Sequence, residues 1–215
     1  MKNSKKLILI IIAVIGMISI GNAQDDKNDS REAFKLGFKI GTNLSNVYDA
    51  QGEDFVADPK LGLVLGGFVS IPIGTFIGVQ PELLFSQKGF KATGKLLGFP
   101  YEFTRTTNYI DIPIFFTVKP IEALTIMAGP QYSFLIKQSD AFNSAIVNTL
   151  QEQEFENDNI RKNTFSFIWG ADVNFSSLVI GGRVGWDLSN NNGDGTSTTP
   201  RYKNVWYQLT LGLRF

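Results

Sequence analysis

From Phe34 onward the chain keeps restarting one pattern, an apolar side chain at every second position with a small or polar one between. "NYIDIPIFFTVK" (108–119) shows it well: Ile110, Ile112, Ile114, Phe116 and Val118 alternate with Asp111, Pro113, Phe115 and Thr117. A period of two gives a β-strand with two unlike faces and excludes an amphipathic helix. The pattern recurs over 34–41, 61–73, 76–89, 103–118, 123–137, 164–175, 178–189 and 204–215, eight strands in all. Their connections alternate in length. Short links fall at 74–75, 119–122 and 176–177, and long ones around 43–60, 90–102, 138–163 and 190–203.

The two faces decide where such a sheet can live. One is almost continuously Leu, Ile, Val and aromatic, and the other mixes glycine with polar and charged residues. The interior of an eight-stranded barrel is too narrow for that many Leu and Phe side chains, whereas small and polar ones fit. The apolar face therefore points outward into lipid. Short turns alternating with long loops are the periplasmic and outer ends of a membrane barrel. Aromatic residues near strand ends, Phe34, Phe165, Tyr207 and Phe215, are expected at the interfaces. The predicted fold is all-β, an eight-stranded antiparallel up-and-down transmembrane β-barrel. Pro81, Pro113 and Pro130 fall inside predicted strands, where a proline cannot donate to the ladder. Bulges or lumen water are the expected accommodation.

The ends agree with export. Lys2, Lys5 and Lys6 precede an apolar run from Leu7 to Ile20, and Gly21-Asn22-Ala23 supplies small residues for cleavage. Residues 1–23 are thus predicted to be a signal peptide, residues 24–33 a flexible periplasmic leader, and residues 34–215 the barrel. The chain has 20 basic and 20 acidic residues, so losing three lysines leaves the mature protein mildly acidic. That balance offers nothing to nucleic acid. Absence of cysteine rules out disulfides and a lipidated N-terminal cysteine. Absence of histidine as well removes Ser-His-Asp, Cys-His and histidine-metal chemistry together. No catalytic, cofactor or metal site is predicted.

"VQPELLFSQKG" (79–89), "YIDIPIFF" (109–116) and "AGPQYSF" (128–134) together resemble the PorT-type outer-membrane β-barrel proteins of Bacteroidota, small barrels of the OmpA/OmpX-like kind. The resemblance implies a Gram-negative outer membrane and an accessory role in protein secretion for the founding type. Phe215 resembles the terminal signal read by the outer-membrane insertion machinery.

Counting from strand ends places Lys39, Glu82, Asp111 and Arg183 at mid-height in the lumen, with Asp172 and Arg214 lower and Asp187 higher. Buried charges in a narrow space must neutralise one another, so Asp111 is expected to be answered by Lys39 or Arg183. A structural plug is the expected role, and a gate or proton path the sharper alternative. The 190–201 segment opens with calcium-loop spacing but puts Arg201 where that loop needs a bidentate acid, so it reads as an ordinary polar loop. "AFNSAIVNTL" (141–150) spaces Phe142, Ile146 and Leu150 for a short helix, followed by acids Glu152, Glu154, Glu156 and Asp158. Outer loops on a rigid scaffold usually carry recognition. The sequence reading is a structural or interaction protein acting through them, in contact with outer-membrane lipid and an extracellular or secretion-complex partner. An export accessory and a narrow channel for small solutes or ions stand as alternatives.

Overall fold

The computed structural model describes residues 29–51, 56–96, 99–144, 148–154, 161–191 and 201–215, so the proposed signal peptide lies outside the described residues. Its strands are β1 (Lys35–Gln51), β2 (Val56–Pro72), β3 (Ile77–Leu96), β4 (Phe99–Ile121), β5 (Leu124–Ser144), β6 (Asn148–Glu154), β7 (Asn163–Phe175), β8 (Leu178–Asp187) and β9 (Arg201–Arg214). They form one antiparallel sheet in the order β4-β3-β2-β1-β9-β8-β7-β5-β6, and a β4–β5 ladder closes all but β6 into an eight-stranded barrel. Closure leaves no free edge in the wall, as a bilayer requires.

The alternation has become a lipid belt. Phe38, Ile40, Leu83, Ile114, Phe116, Trp169, Leu209 and Leu211 each expose at least half of their surface on the outside. Inward positions hold Asn43, Gln80, Ser86, Thr117, Gln131, Ser133 and Ser166, all buried. Tight turns at 73–76, 122–123 and 176–177 close the periplasmic end.

At the outer end the long links are largely strand. β1 and β2 reach Gln51 and Val56, and β3 and β4 stay paired to Leu96 and Phe99. Above the hydrocarbon no lipid enforces an apolar face, so alternation fades while the backbone keeps pairing. Of the expected helix at 141–150, the described residues 141–144 and 148–150 are also strand. β5 runs on to Ser144 and β6 pairs with it from Lys137↔Glu154 to Asn143↔Asn148, taking over the edge that β7 vacates above Phe134. An edge left open by β7 is satisfied by a hairpin, whereas a helix would leave it unpaired. Residues 192–200 of the polar loop lie outside the described residues.

Residues 29–33, expected as the end of a flexible leader, are docked instead. Ser30–Glu32 form a 3-10 turn capped by Asp29, whose side chain accepts from the Arg31 amide. Hydrogen bonds and charge from Arg31 hold the Asp29 carboxyl down at about 2. Arg31 also donates to the Lys119 and Pro120 carbonyls, and Glu32 meets the Thr75 hydroxyl.

The three prolines fit one scheme. Pairing of β3 to β2 skips from Glu82 to Val79, past Pro81. Pairing of β4 to β3 skips from Ile114 to Asp111, past Pro113, and pairing of β5 to β4 skips from Gln131 to Ala128, past Pro130. On the opposite edge each proline is paired, Pro81↔Ile114, Pro113↔Gln131 and Pro130↔Phe167. Each ring thus faces a preceding strand across an interval without ladder pairs, where its missing N–H costs no rung.

A second lapse, between Val64↔Ser86 and Pro59↔Phe90, is repaired from the next strand over. Asn43 Nδ2 on β1 donates to Gln87 O at 3.2 Å. Ser45 Oγ accepts the Gly89 N–H at 2.9 Å and lies 2.8 Å from Gly89 O. Gly62 on the intervening β2 permits the approach, because a Cβ there would stand 2.1 Å from Gln87 O.

Candidate functional site

Inward positions of the wall build a filled lumen in layers. Above the periplasmic mouth, the first layer of paired charges centres on Glu82. Lys39 Nζ reaches Glu82 Oε1 at 2.8 Å, and the Arg183 guanidinium forks onto the same carboxylate at 2.7 and 3.0 Å. Arg183 also touches both Asp172 oxygens at 3.3 Å, and Gln80 donates to Glu82 at 2.8 Å. Two cations and two acids sit here, all at or below 3% exposure, so the group neutralises itself. Aromatic faces line it, with Lys39 over Phe68 at 4.6 Å and Arg183 over Phe115 at 4.8 Å.

An apolar layer of Phe115, Met127, Ile168 and Trp206 also fills the lumen, with at most 1% exposure. Against its Trp206 stands a second charged layer. Lys88 Nζ is 3.0 Å from Asp111 Oδ2 and 3.7 Å from the Trp206 ring. Asp187 accepts from the Ser166 hydroxyl at 2.7 Å and from Asn204. Near the outer rim Arg105 forks onto Asp140 at 2.8 and 2.7 Å and donates to the Tyr202 hydroxyl. Burial pushes that hydroxyl up against the pull of Arg105, so Tyr202 stays neutral. Val47, Phe90, Ala92 and Tyr202 pack into an apolar cluster at this level.

Lys39, Glu82 and Arg183 therefore come together as expected, while Asp111 does not join them. Register explains the correction: Asp111 stands opposite Leu84, outward of Glu82, and within reach of Lys88 from further up β3. Lys88 lies outside the expected network, although its two-residue phase with Glu82 and Ser86 puts it inside the lumen. Lys88→Met leaves Asp111 buried and unpaired, and Asp111→Asn removes that charge. We expect a double-mutant cycle in urea to show coupling of about 1–3 kcal/mol, the double variant being more stable than additivity allows. Strict additivity would mean that the pair contributes nothing.

Chemically these layers are a packed interior in which each buried cation meets a carboxylate. Among the described residues no group of three acids, histidines or cysteines is placed to hold a metal ion.

The family model for the outer membrane protein beta-barrel domain matches residues 22–193. No curated protein sequence matches the chain. Similar solved structures include the attachment invasion locus protein Ail of Yersinia pestis, at 14% identity over 84% of this chain and 98% of that one, with TM-score 0.47. Neisserial surface protein A gives 6% identity over 85% and 97%, TM-score 0.45. OprG of Pseudomonas aeruginosa gives 13% over 89% and 99%, TM-score 0.38.

Proposed function

Because the chain belongs to the outer membrane protein β-barrel domain family, a small barrel of the Gram-negative outer membrane, we propose that it is a plugged barrel working as a structural or interaction protein through its outer hairpins. The lumen carries this reading. Glu82 with its two cations and the layer of Phe115, Met127, Ile168 and Trp206 fill the cross-section that a solute would need. A narrow eight-stranded interior filled by side chains is wall, not pathway. The paired strands of β3 and β4 continue above the belt to Leu96 and Phe99, giving a rigid mount for recognition. The closer likeness to PorT-type barrels of Bacteroidota rests on the three motifs, two of which hold Pro81 and Pro113 with the third holding Pro130. With it goes the reading of a secretion-complex partner. Export through a cleaved signal peptide, a terminal Phe215 signal for the insertion machinery and a non-enzymatic role complete the proposal.

One variant tests it two ways. In it the β3–β4 hairpin beyond Lys91↔Thr104 is replaced by a short turn. Neither wild type nor variant should give large, stable conductance steps in planar bilayers. Co-purification from gently solubilised membranes should recover a partner with wild type and lose it with the variant. Stable steps from wild type would overturn the plug, and undiminished recovery with the variant would overturn the role of this hairpin.

A further inference from the structure

The periplasmic mouth of the lumen differs from the layers above it, where each buried cation meets a carboxylate. Lys35, Lys119 and Arg214 all occupy inward phases there, since Phe34, Val118 and Leu213 beside them face out. Lys119 is 7% exposed and reaches across β3 to β2, where Ser70 Oγ accepts its ammonium at 3.2 Å. Ser70 stands opposite Lys35 in the β1–β2 ladder, which brings the two lysines together. Arg214 lies opposite Gly37, one inward position from Lys35, and its Nε donates to Ser176 O at 2.9 Å. Lys119 feels the charges of both Arg214 and Lys35.

Compensation is thin. Among the described residues no acid lies within ion-pair distance of any of the three. Glu122, on the β4–β5 turn, acts on Lys35 and Arg214 from farther away. Asp172 acts on Arg214, but its oxygens are already taken by Arg183. The other basic group at this end, Arg31, is committed to Asp29. Elsewhere in the lumen each buried lysine or arginine among the described residues has a carboxylate within ion-pair distance, so three cations with only distant acids are the exception.

We infer that this mouth is an anion site for a phosphate group, held by Lys35, Lys119 and Arg214 on the periplasmic side. Two lysine ammoniums and a guanidinium converge as multivalent donors for a dianion, and Ser70 adds a hydroxyl. A doubly charged oxyanion removes the repulsion among the cations, which chloride neutralises less. The group could arrive as free phosphate or as a lipid headgroup, and the chemistry of the site is the same for both.

Isothermal titration calorimetry on the full protein in a non-ionic maltoside detergent tests this, with inorganic phosphate and with monomeric dihexanoyl phosphatidate, at constant ionic strength set with chloride. Saturable one-site binding of at least one of them is expected, weakened tenfold or more in Lys35→Gln and in Arg214→Gln. Lys119→Gln is held in reserve because it also cuts the tether to the Arg31 carbonyl. A heat-modifiable gel shift confirms that each variant is folded. Tenfold preference for phosphatidate identifies a lipid headgroup as the source, and equal affinity identifies free phosphate. Absence of saturation with both ligands, or affinity unchanged in both folded variants, overturns the site.

Discussion

Glu82→Ala should lower the unfolding free energy of the barrel by at least about 3–5 kcal/mol, the range seen when one partner of a buried ion pair is removed. Lys39 and Arg183 both spend their best contacts on this carboxylate, at 2.8 and 2.7 Å, and both are buried. Truncation leaves two cations facing each other in a closed space, with Asp172 at 3.3 Å from Arg183 as the remaining acid. The loss therefore combines an uncompensated charge with new repulsion. Replacing the whole group with apolar residues is a different experiment. Lys39→Met, Glu82→Leu, Asp172→Leu and Arg183→Met together should recover most of the stability, because a well-packed apolar substitute for a buried ion network is often neutral or better. Urea titration in lipid vesicles, read by tryptophan fluorescence, measures both. An unchanged midpoint for Glu82→Ala would show that water reaches these groups and that the layer is not a plug.

Gly89→Ala should be nearly as damaging, for reasons of backbone and not of charge. Gly89 has φ of +143°, a region closed to residues with a Cβ, and an added Cβ would stand 2.0 Å from the Arg105 carbonyl oxygen. Strained dihedrals of this kind cost about 1–3 kcal/mol, and forcing the neighbouring strand aside costs about 1–3 kcal/mol more. Displacing Gly89 also breaks both contacts with Ser45 that bridge the β2–β3 lapse. The expected result is loss of the heat-modifiable, folded gel band at 37 °C, with recovery at lower temperature. A fully folded Gly89→Ala with wild-type urea sensitivity would mean that the strand has room the geometry denies.

What could be read from the chain follows the reach of the bilayer. Wherever hydrocarbon bathes the wall, it enforces alternation, so Phe38, Ile40, Ile114 and Leu209 announced their faces and the eight wall strands were legible. Lys39, Glu82 and Arg183 were legible for the same reason, as charges in the inward phase. Above the belt the constraint lapses, and Gln138 and Asp140 even change phase after a bulge at Ile136, where pairing passes from Tyr109↔Leu135 to Asn108↔Lys137. Neither β6 nor the outer halves of β1 to β5 could be seen through such a pattern. Lys88 and Asp111 show a further limit. Phase places both inside, but only the register of β3 against β4 tells which acid meets which base. The prolines needed the same information, since a missing N–H is harmless or costly according to the edge it faces.

The strands that outrun the lipid have a thermodynamic meaning of their own. From Thr106 to Phe99, β4 stays paired with β3 well past the last apolar outward residue. At about 3.3 Å per residue and a tilt of about 40°, this rim stands some 20 Å above the hydrocarbon. Outward side chains on the paired strands there, such as Glu102 and Thr104, are presented at a fixed height and orientation before any encounter. A ligand bound there would not bear the ordering entropy that a floppy surface loop imposes, about 0.5–1.5 kcal/mol for each side chain immobilised. Such a rim can therefore afford weak individual contacts, and its selectivity would come from geometry set in advance.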